Sequence, residues 1–582
     1  MSNRTEAVSS DESEPEPPPG PMPRPQISPR YALSWPHVLF CAFFGLLFWL
    51  LNSQPLFHSD VWGHVLYGQW ILEHGGLPAE DPFIPLALGV KIVDSAWLAQ
   101  VIFASVHDAG GGEAMSSLFA VTVVATYLLL AAVFYLQTGR IGVALGGAIL
   151  VLLLAVRRVL VIRPEIFGAL SFAGLILLCQ LVRRPTWRKG EPIPDAPTWM
   201  FVVTGFSRSR DRLKPVTTNG RLIAAYAGIP LLMVFWTNTH GSFPIGLAFL
   251  GCHAVGGMIE TAWRTRSFSG VFGDRMVRRW IILTQLAAAA VLLNPDTIDA
   301  YINVATFGSN PNLQGIQEWA PMHLRAIEAP GLLASLVVLA FAVRHSRVVI
   351  TPTQALLLGV FTTAFLFNVR IAVWYAFVFG YVMVPHLEEL LARKWPKPAA
   401  VPDAEVELGG GVFGRSYIHT LVCGLMIWMG FALSPSSRPL LGGRPRPPER
   451  LYDNQTPLGA AAFLRAHPPR GLVWNSAMWG DWLLLDGPPG LQPFVNTNAM
   501  HVVPPRVWRD YQSIARAARG WPGLVDKYRV DTLIVSKRDQ PRLSREVRTL
   551  GGDWEIVYED SQAIVVSREP GTRSAGRQKQ KR

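Results

Sequence analysis

The feature that most constrains this chain is its series of uninterrupted apolar runs near bilayer-crossing length. They occupy 35–51, 114–136, 141–156, 165–182, 222–237, 241–260, 280–293, 329–343, 352–367, 371–385 and 417–433, about eleven in all. Crossing a hydrocarbon layer of about 30 Å takes about 20 helical residues, and several of the runs are shorter. Among lipids the backbone must satisfy its own hydrogen bonds, which makes these runs helices. The expected fold class is therefore an α-helical polytopic membrane protein. Composition agrees: of 582 residues, 50% are hydrophobic and 16% are charged, against about 25% charged in soluble domains. Chain-wide disorder is excluded by that hydrophobicity. A disulfide scaffold is excluded because Cys41, Cys179, Cys252 and Cys423 all lie in or beside apolar runs, where they read as small packing residues.

Charge placement orients the chain. The formal net charge is +12. One set of connections holds Arg140, the basic segment Arg183–Arg221, Arg264–Arg279, Arg344 with Arg347, and Arg393–Arg415. With the N-terminal arginines this side carries about 24 basic residues, against about 6 on the other, and the positive-inside rule makes it cytoplasmic. The alternation holds only if Ala96–His107 is not a span. That segment has Gln100 inside it, with Trp97, Leu98, Val101, Ile102 and Val106 on one helical face, and reads as an interfacial helix. The basic residues are spread over separate loops with no matching fold motif, so nucleic acid is not an expected partner.

Five regions follow. Residues 1–34 are a polar, proline-rich, disordered cytoplasmic tail. With no short basic segment before it and no small-residue cleavage site after it, Trp35–Leu51 reads as a retained span. Residues 35–433 are the bundle, with a first exterior loop at 52–113. A linker rich in Pro, Gly and Arg covers 434–456. Residues 457–568 read as a small exterior α/β domain, with strands near 471–475, 530–536, 554–558 and 563–566. A basic tail closes the sequence at 569–582. The expected location is the inner (plasma) membrane, with the N-terminus cytoplasmic and the C-terminal domain exterior.

The exterior connections are poor in charge but hold an unusual polar set: Asp60, His64, Asp81, Asp94, Arg163, Glu165, Asn238, His240, Glu318 and Arg370. Ionisable groups at span ends are costly unless they face a cavity, so their collection at one membrane face suggests a shared site. Asp60 and His64 are four residues apart and share a helical face, as a base, a metal-ligand pair, or an N-cap with a nearby histidine. Asp81 and Asp94 also fit simple turn and cap roles. Arg163 and Arg370 suit either interfacial anchoring or phosphate binding by the guanidinium fork. Trp35, Trp62, Trp70, Trp97 and Trp319 fit an aromatic belt.

In order, Asp60-x-Trp62-x-His64, Gly68-x-Trp70-Ile71, Gly76-x-Pro78-x-x-Asp81-Pro82-Phe83 and Asp94-x-x-Trp97-Leu98 resemble the first exterior loop of GT-C-type glycosyltransferases. More narrowly they resemble a bacterial subgroup of these polytopic proteins. Arg163-Pro164, Asn238-x-His240-Gly241, Glu318-Trp319, Asn368-x-Arg370 and Asn475-x-x-x-Trp479-Gly480-x-Trp482-Leu483 fit the same subgroup, and the resemblance covers most of 35–568. It implies a GT-C-like bundle and a sugar donor carried on a polyprenyl phosphate or diphosphate. Transfer is expected at the exterior face, to a glycan, lipid or protein acceptor. It also implies that Asp60 is the catalytic acid–base position, with the other polar residues binding substrate. Where the subgroup often has an acidic pair, this chain has His58-Ser59-Asp60, and a divalent metal on Asp60 and His64 stays open. Two alternatives stand beside this reading: a transporter or flippase of lipid-linked solutes, and a non-catalytic scaffold presenting the exterior domain. A transporter calls for internal repeats and helices broken at mid-membrane, and no repeat is visible.

Overall fold

The computed structural model describes residues 31–57, 60–87, 89–182, 218–313, 321–323, 326–395 and 414–568. Residues 1–30 of the tail expected at 1–34, the tail at 569–582, most of the basic segment Arg183–Arg221, and Glu318 with Trp319 lie outside them.

Each apolar run becomes a helix. With two helices from the connections, α2 and α9, the chain order is α1 (Trp35–Ser53), α2 (Val61–His74), α3 (Trp97–Thr138), α4 (Ile141–Val159), α5 (Glu165–Val182), α6 (Thr218–Thr239), α7 (Phe243–Thr265), α8 (Arg275–Val291), α9 (Asp299–Phe307), α10 (Ala329–His345), α11 (Pro352–Phe367), α12 (Ala372–Lys394) and α13 (Tyr417–Ala432). Starts are set locally. Thr351 Oγ1 accepts from the Gln354 N–H at 3.2 Å while Gln354 Oε1 accepts from the Thr351 N–H at 3.0 Å, with proline next in the first turn of α11.

The expectation of about eleven spans needs correction. Among the described residues, seven helices are long and apolar enough to cross a membrane, or eight if α13 and the bent continuation Pro435–Leu441 count as one. The difference lies in α8, α10 and α11, which are 16 or 17 residues long. At 1.5 Å per residue such a helix reaches about 25 Å, short of a hydrocarbon layer of about 30 Å.

The segment at Ala96–His107 is distinct from the span that follows it. The helical path of α3 breaks at Gly110 and at Gly111, whose φ of 59° and ψ of −150° lie in a region open essentially to glycine. The part before the break lies along α2, and the backbones approach so closely that a Cβ on Gly68 would meet Gln100 O at 2.0 Å.

After α13 come α14 (Arg438–Leu441), α15 (Pro448–Leu451), α16 (Leu458–Ala466), β1 (Leu472–Asn475), α17 (Ala477–Asp486), β2 (Gln492–Pro493), α18 (Ala499–Val502), α19 (Pro505–Ala515), α20 (Trp521–Lys527), β3 (Val530–Ser536), α21 (Leu543–Glu546), β4 (Trp554–Glu559) and β5 (Ala563–Arg568). The sheet order is β2-β1-β3-β5-β4. Strands β2, β1 and β3 run parallel, while β5 pairs antiparallel with both β3 and β4. The buried run Val530-Asp531-Thr532-Leu533-Ile534-Val535 forms the central strand because both its faces are covered.

This domain is docked on the first loop of the bundle. Leu56 N–H donates to Leu451 O at 2.7 Å, and Asp453 N–H donates to Leu56 O at 3.1 Å, so a short bridge ties loop to linker. Trp62 is fully buried, edge-on to Tyr452 and Trp482 at 5.5 and 5.2 Å. Its expected place in an aromatic belt is overturned: it is the hinge pin between loop and domain. Asn312 Nδ2 donates to Met500 O and Val503 O, both at 3.0 Å, tying the loop after α9 to the same domain.

Candidate active site

Asp60 occupies the cap position of α2 but makes no capping hydrogen bond. Its carboxylate turns to Arg163, with Oδ1 3.3 Å from Nε. Arg163 comes from the turn between α4 and α5, one proline before Glu165 opens α5. The two side chains are 34% and 22% exposed, half-open to whatever enters. Asp60 Oδ1 accepts no hydrogen bond among the described residues. Charge therefore holds the carboxylate while leaving it acceptor capacity.

His64 lies one turn further along α2. Burial lowers its proton affinity; Asp60 opposes that shift and Arg163 adds to it. Gln100 Nε2 lies 3.4 Å from His64 Nδ1 and donates to Asp94 Oδ1 at 3.1 Å. Asp94 also accepts from the Ala96 N–H at 3.0 Å, at the entry to α3. Burial raises the Asp94 carboxyl to about 6 against those hydrogen bonds. The row Asp94–Gln100–His64 thus runs from loop to helix.

The α6–α7 turn meets this row. Trp97 Nε1 donates to Asn238 Oδ1 at 2.7 Å, and Asn238 Nδ2 donates to Val234 O and Leu293 O. Ser242 Oγ accepts from Trp236 Nε1 at 3.0 Å and lies 2.7 Å from His240 Nδ1, which also accepts from the Ser242 N–H at 3.2 Å. Because Nδ1 accepts the backbone N–H it carries no proton, and the serine hydroxyl donates to it as well. A neutral His240 then carries its proton on Nε2. Burial, followed by the Arg370 charge and then His64, lowers His240 to about 3; Asp60 opposes the shift and Arg163 adds to it. Arg370 stands in the short turn Val369–Ile371 before α12, where Asn368 Oδ1 accepts its backbone N–H at 2.9 Å.

His240 therefore lies within the field of Asp60, His64, Arg163 and Arg370, and His64 within that of Asp60 and Arg163, although the five come from four separate connections. Asp81 sits deeper in a turn, accepting from the N–H groups of Phe83 and Ile84 at 2.8 Å and from the hydroxyl of Tyr67. Asn498 Nδ2 donates to that hydroxyl at 3.1 Å, so this arm of the loop faces the C-terminal domain. Glu165 lies in the first turn of α5, and Glu318 is outside the described residues.

Two groups from the C-terminal domain join the cluster. Asp481, on α17, is fully buried against α2: a Cβ at Gly63 would meet its Oδ1 at 2.7 Å. Burial raises it to about 7, Thr497 hydrogen bonds oppose the shift, and Asp60 and Asp81 add to it. His501 lies within α18 beside Phe307, its ring 5.0 Å away. Burial, then Arg370, lowers it to about 4, and Asp60 opposes. Only the Trp479-Gly480-x-Trp482 motif hinted at Asp481, and no sequence signal marked His501.

The divalent metal is not matched by these residues. The nearer Asp60 oxygen already faces a guanidinium, and among the described residues no three His, Cys, Asp or Glu side chains are placed to hold an ion.

No protein-family model matches the chain, and no curated protein is similar to it in sequence. Several solved structures align over most of its length. The oligosaccharyltransferase of Archaeoglobus fulgidus in its apo form aligns at TM-score 0.49 and 11% identity, covering 92% of this chain and 75% of that one. The same enzyme tethered to an acceptor peptide with the NVT sequon gives 0.47 and 11%, covering 92% and 74%. ArnT of Cupriavidus metallidurans in the apo state gives 0.45 and 13%, covering 91% and 97%. Likeness at this level assigns no activity.

Proposed function

We propose that this chain is a GT-C-type membrane glycosyltransferase. In this reading it moves a sugar from a polyprenyl-phosphate-linked donor to an acceptor hydroxyl at the exterior face of the inner membrane. The observation that carries it is the Asp60–Arg163 contact, a half-open carboxylate against a guanidinium at 3.3 Å, within one charge-coupled group that includes Arg370. The loop motifs of the sequence and the uneven distribution of basic residues support the same reading.

The chemistry needs a proton acceptor near the attacking hydroxyl and cations near the departing phosphate. Asp60 Oδ1 is closed off beside Arg163, so the partly exposed remainder of the carboxylate supplies the acceptor capacity and the access. The acceptor oxygen bonds to the anomeric carbon as the bond to the lipid phosphate oxygen breaks. The electron pair leaves with the phosphate, and the hydroxyl proton passes to Asp60. Arg163 and Arg370 hold the phosphate by the guanidinium fork. His64 and His240, kept neutral by burial and by the arginines, offer hydrogen bonds without adding charge that would bind the lipid phosphate too tightly to release it. The His240 Nε2–H is a ready donor. Asp94, Asn238 and Gln100 fix the wall from which these groups project, and Asp81 with Glu165 flanks the sugar side. Asp481 and His501 close the site from the C-terminal domain.

The test is release of free polyprenyl phosphate from a panel of polyprenyl-phosphate and polyprenyl-diphosphate sugars by the reconstituted full chain, with candidate acceptors present. Release from one donor class supports the reading. Failure with every donor overturns it.

A further inference from the structure

Away from this site, the linker builds a second polar feature. The cleft between the end of α1 and the stretch Arg438–Arg450 has a volume of about 680 Å³ and is lined by Ser53, Pro55, Glu449 and four arginines: Arg438, Arg444, Arg446 and Arg450. Arg446 is its fixed floor. It is buried, paired with Glu113 at 2.7 Å, and donates to Gln54 O at 3.2 Å. Arg438 leans on the same carboxylate at 3.9 Å and donates to Arg444 O at 3.1 Å. Arg444 and Arg450 are exposed and make no ion pair among the described residues. Four guanidinium groups thus meet two carboxylates, Glu113 and Glu449, and the excess is positive.

The cleft's height is set by two apolar helices. Helix α1 ends at Ser53, which lines it, and α13 ends at Ala432, after which the chain bends by 84° into Pro435–Leu441. The bend leaves Leu440 and Leu441 at 76% and 55% exposure beside Arg438. Exposed apolar side chains next to guanidinium groups, just past the end of a membrane-length apolar helix, match the acyl boundary and the phosphate layer beside it.

We propose that this cleft binds a phosphate group, held by Arg444 and Arg450 and backed by Arg438. Its position at the bilayer boundary points to the headgroup of an anionic lipid, with a soluble phosphate as the other source of the same chemistry. The site is separate from the Asp60 cluster and does not depend on sugar transfer.

The experiment is native mass spectrometry of the detergent-released full chain with phosphatidylglycerol or phosphatidylcholine, alongside calorimetry with inorganic phosphate. Three variants are compared: Arg444→Ala/Arg450→Ala, Glu449→Gln, and the control Arg516→Ala/Arg519→Ala on the exposed surface of the C-terminal domain. The account expects retention of phosphatidylglycerol over phosphatidylcholine. It expects a loss of roughly tenfold or more in the first variant, since each arginine near a surface adds substantially to anion affinity. Glu449→Gln removes a lining carboxylate and should bind several-fold more tightly, a gain that misfolding cannot mimic. The control should be unchanged. If inorganic phosphate alone shows this variant pattern, the site holds with a soluble ligand. If both lining variants match wild type in both arms, or phosphatidylcholine is retained equally, the proposal is overturned.

Discussion

The docking of the C-terminal domain on α2 makes a sharp prediction at Gly63. A Cβ there would lie 2.7 Å from Asp481 Oδ1, 2.8 Å from Cγ and 3.0 Å from Oδ2, a head-on collision with a whole buried carboxyl group. Overpacking of this kind costs about 1–3 kcal/mol. Alanine in a helix recovers about 0.5–1 kcal/mol of backbone entropy relative to glycine. Gly63→Ala alone should therefore destabilise by roughly 0–2.5 kcal/mol. Asp481→Ala removes the obstacle but strands the Thr497 donors, at about 1–3 kcal/mol. In the Asp481→Ala background the collision is gone and only the entropy gain remains, so Gly63→Ala should become neutral or stabilising. The assay is the apparent Tm of the four proteins of the cycle in detergent, read by intrinsic tryptophan fluorescence at one scan rate. The predicted signature is a change of sign: Gly63→Ala lowers Tm in wild type and holds or raises it beside Asp481→Ala. Equal downward shifts in both backgrounds would refute the contact and, with it, the seating of α17 on α2.

Three further predictions follow from the same geometry. Asp481 is raised by burial to about 7, so the stability it gives the docked domain is complete below about 4 and is lost as pH rises through about 7. Protection factors at α17, corrected for the intrinsic rise of amide exchange with pH, should fall over that window in wild type, and Asp481→Asn should remove that fall. Trp62→Ala removes a fully buried indole from the loop–domain junction and should cost about 3–5 kcal/mol, seen as rapid proteolysis within the 434–456 linker; protection equal to wild type would exclude the hinge-pin role. In donor-dependent turnover, Arg370→Ala should raise KM for the lipid-linked donor and lower kcat, by about tenfold or more in kcat/KM, whereas Arg370→Lys should recover part of the loss. Kinetics identical to wild type would remove Arg370 from phosphate binding.

The helical membrane architecture and the small C-terminal α/β domain were legible in the sequence because both rest on local signals. Apolar run length marks helices, and the alternation of β-branched runs with Gly and Pro turns marks strands such as Val530–Ser536 and Ala563–Arg568. Span count was not legible: α10 and α11 pair apolar composition with a length just short of the bilayer, and α8 spends its first turns on Arg275, Arg278 and Arg279. Helix α17 and the two-residue β2 were missed, since burial in the domain interface, rather than periodicity, stabilises that stretch. The grouping of Asp60, His64, Arg163 and Arg370 around His240 was expected from their places in the alternate connections between apolar runs. The Asp60–Arg163 contact itself is a long-range pairing between residues about a hundred positions apart, which sequence spacing does not encode. The C-terminal contributions of Asp481 and His501 depend on docking between regions joined only by the linker. They were invisible for the same reason.

The central claim is that Asp60 takes the acceptor proton. Its most direct test compares wild type with Asp60→Ala on whichever polyprenyl-linked donor wild type turns over. Substrate binding is followed separately through donor protection of Tm. The account predicts unchanged folding, near-normal donor protection and a loss in transfer of about 10²–10⁴-fold, the range for removal of a positioned general base. Transfer by Asp60→Ala at the wild-type rate would contradict it.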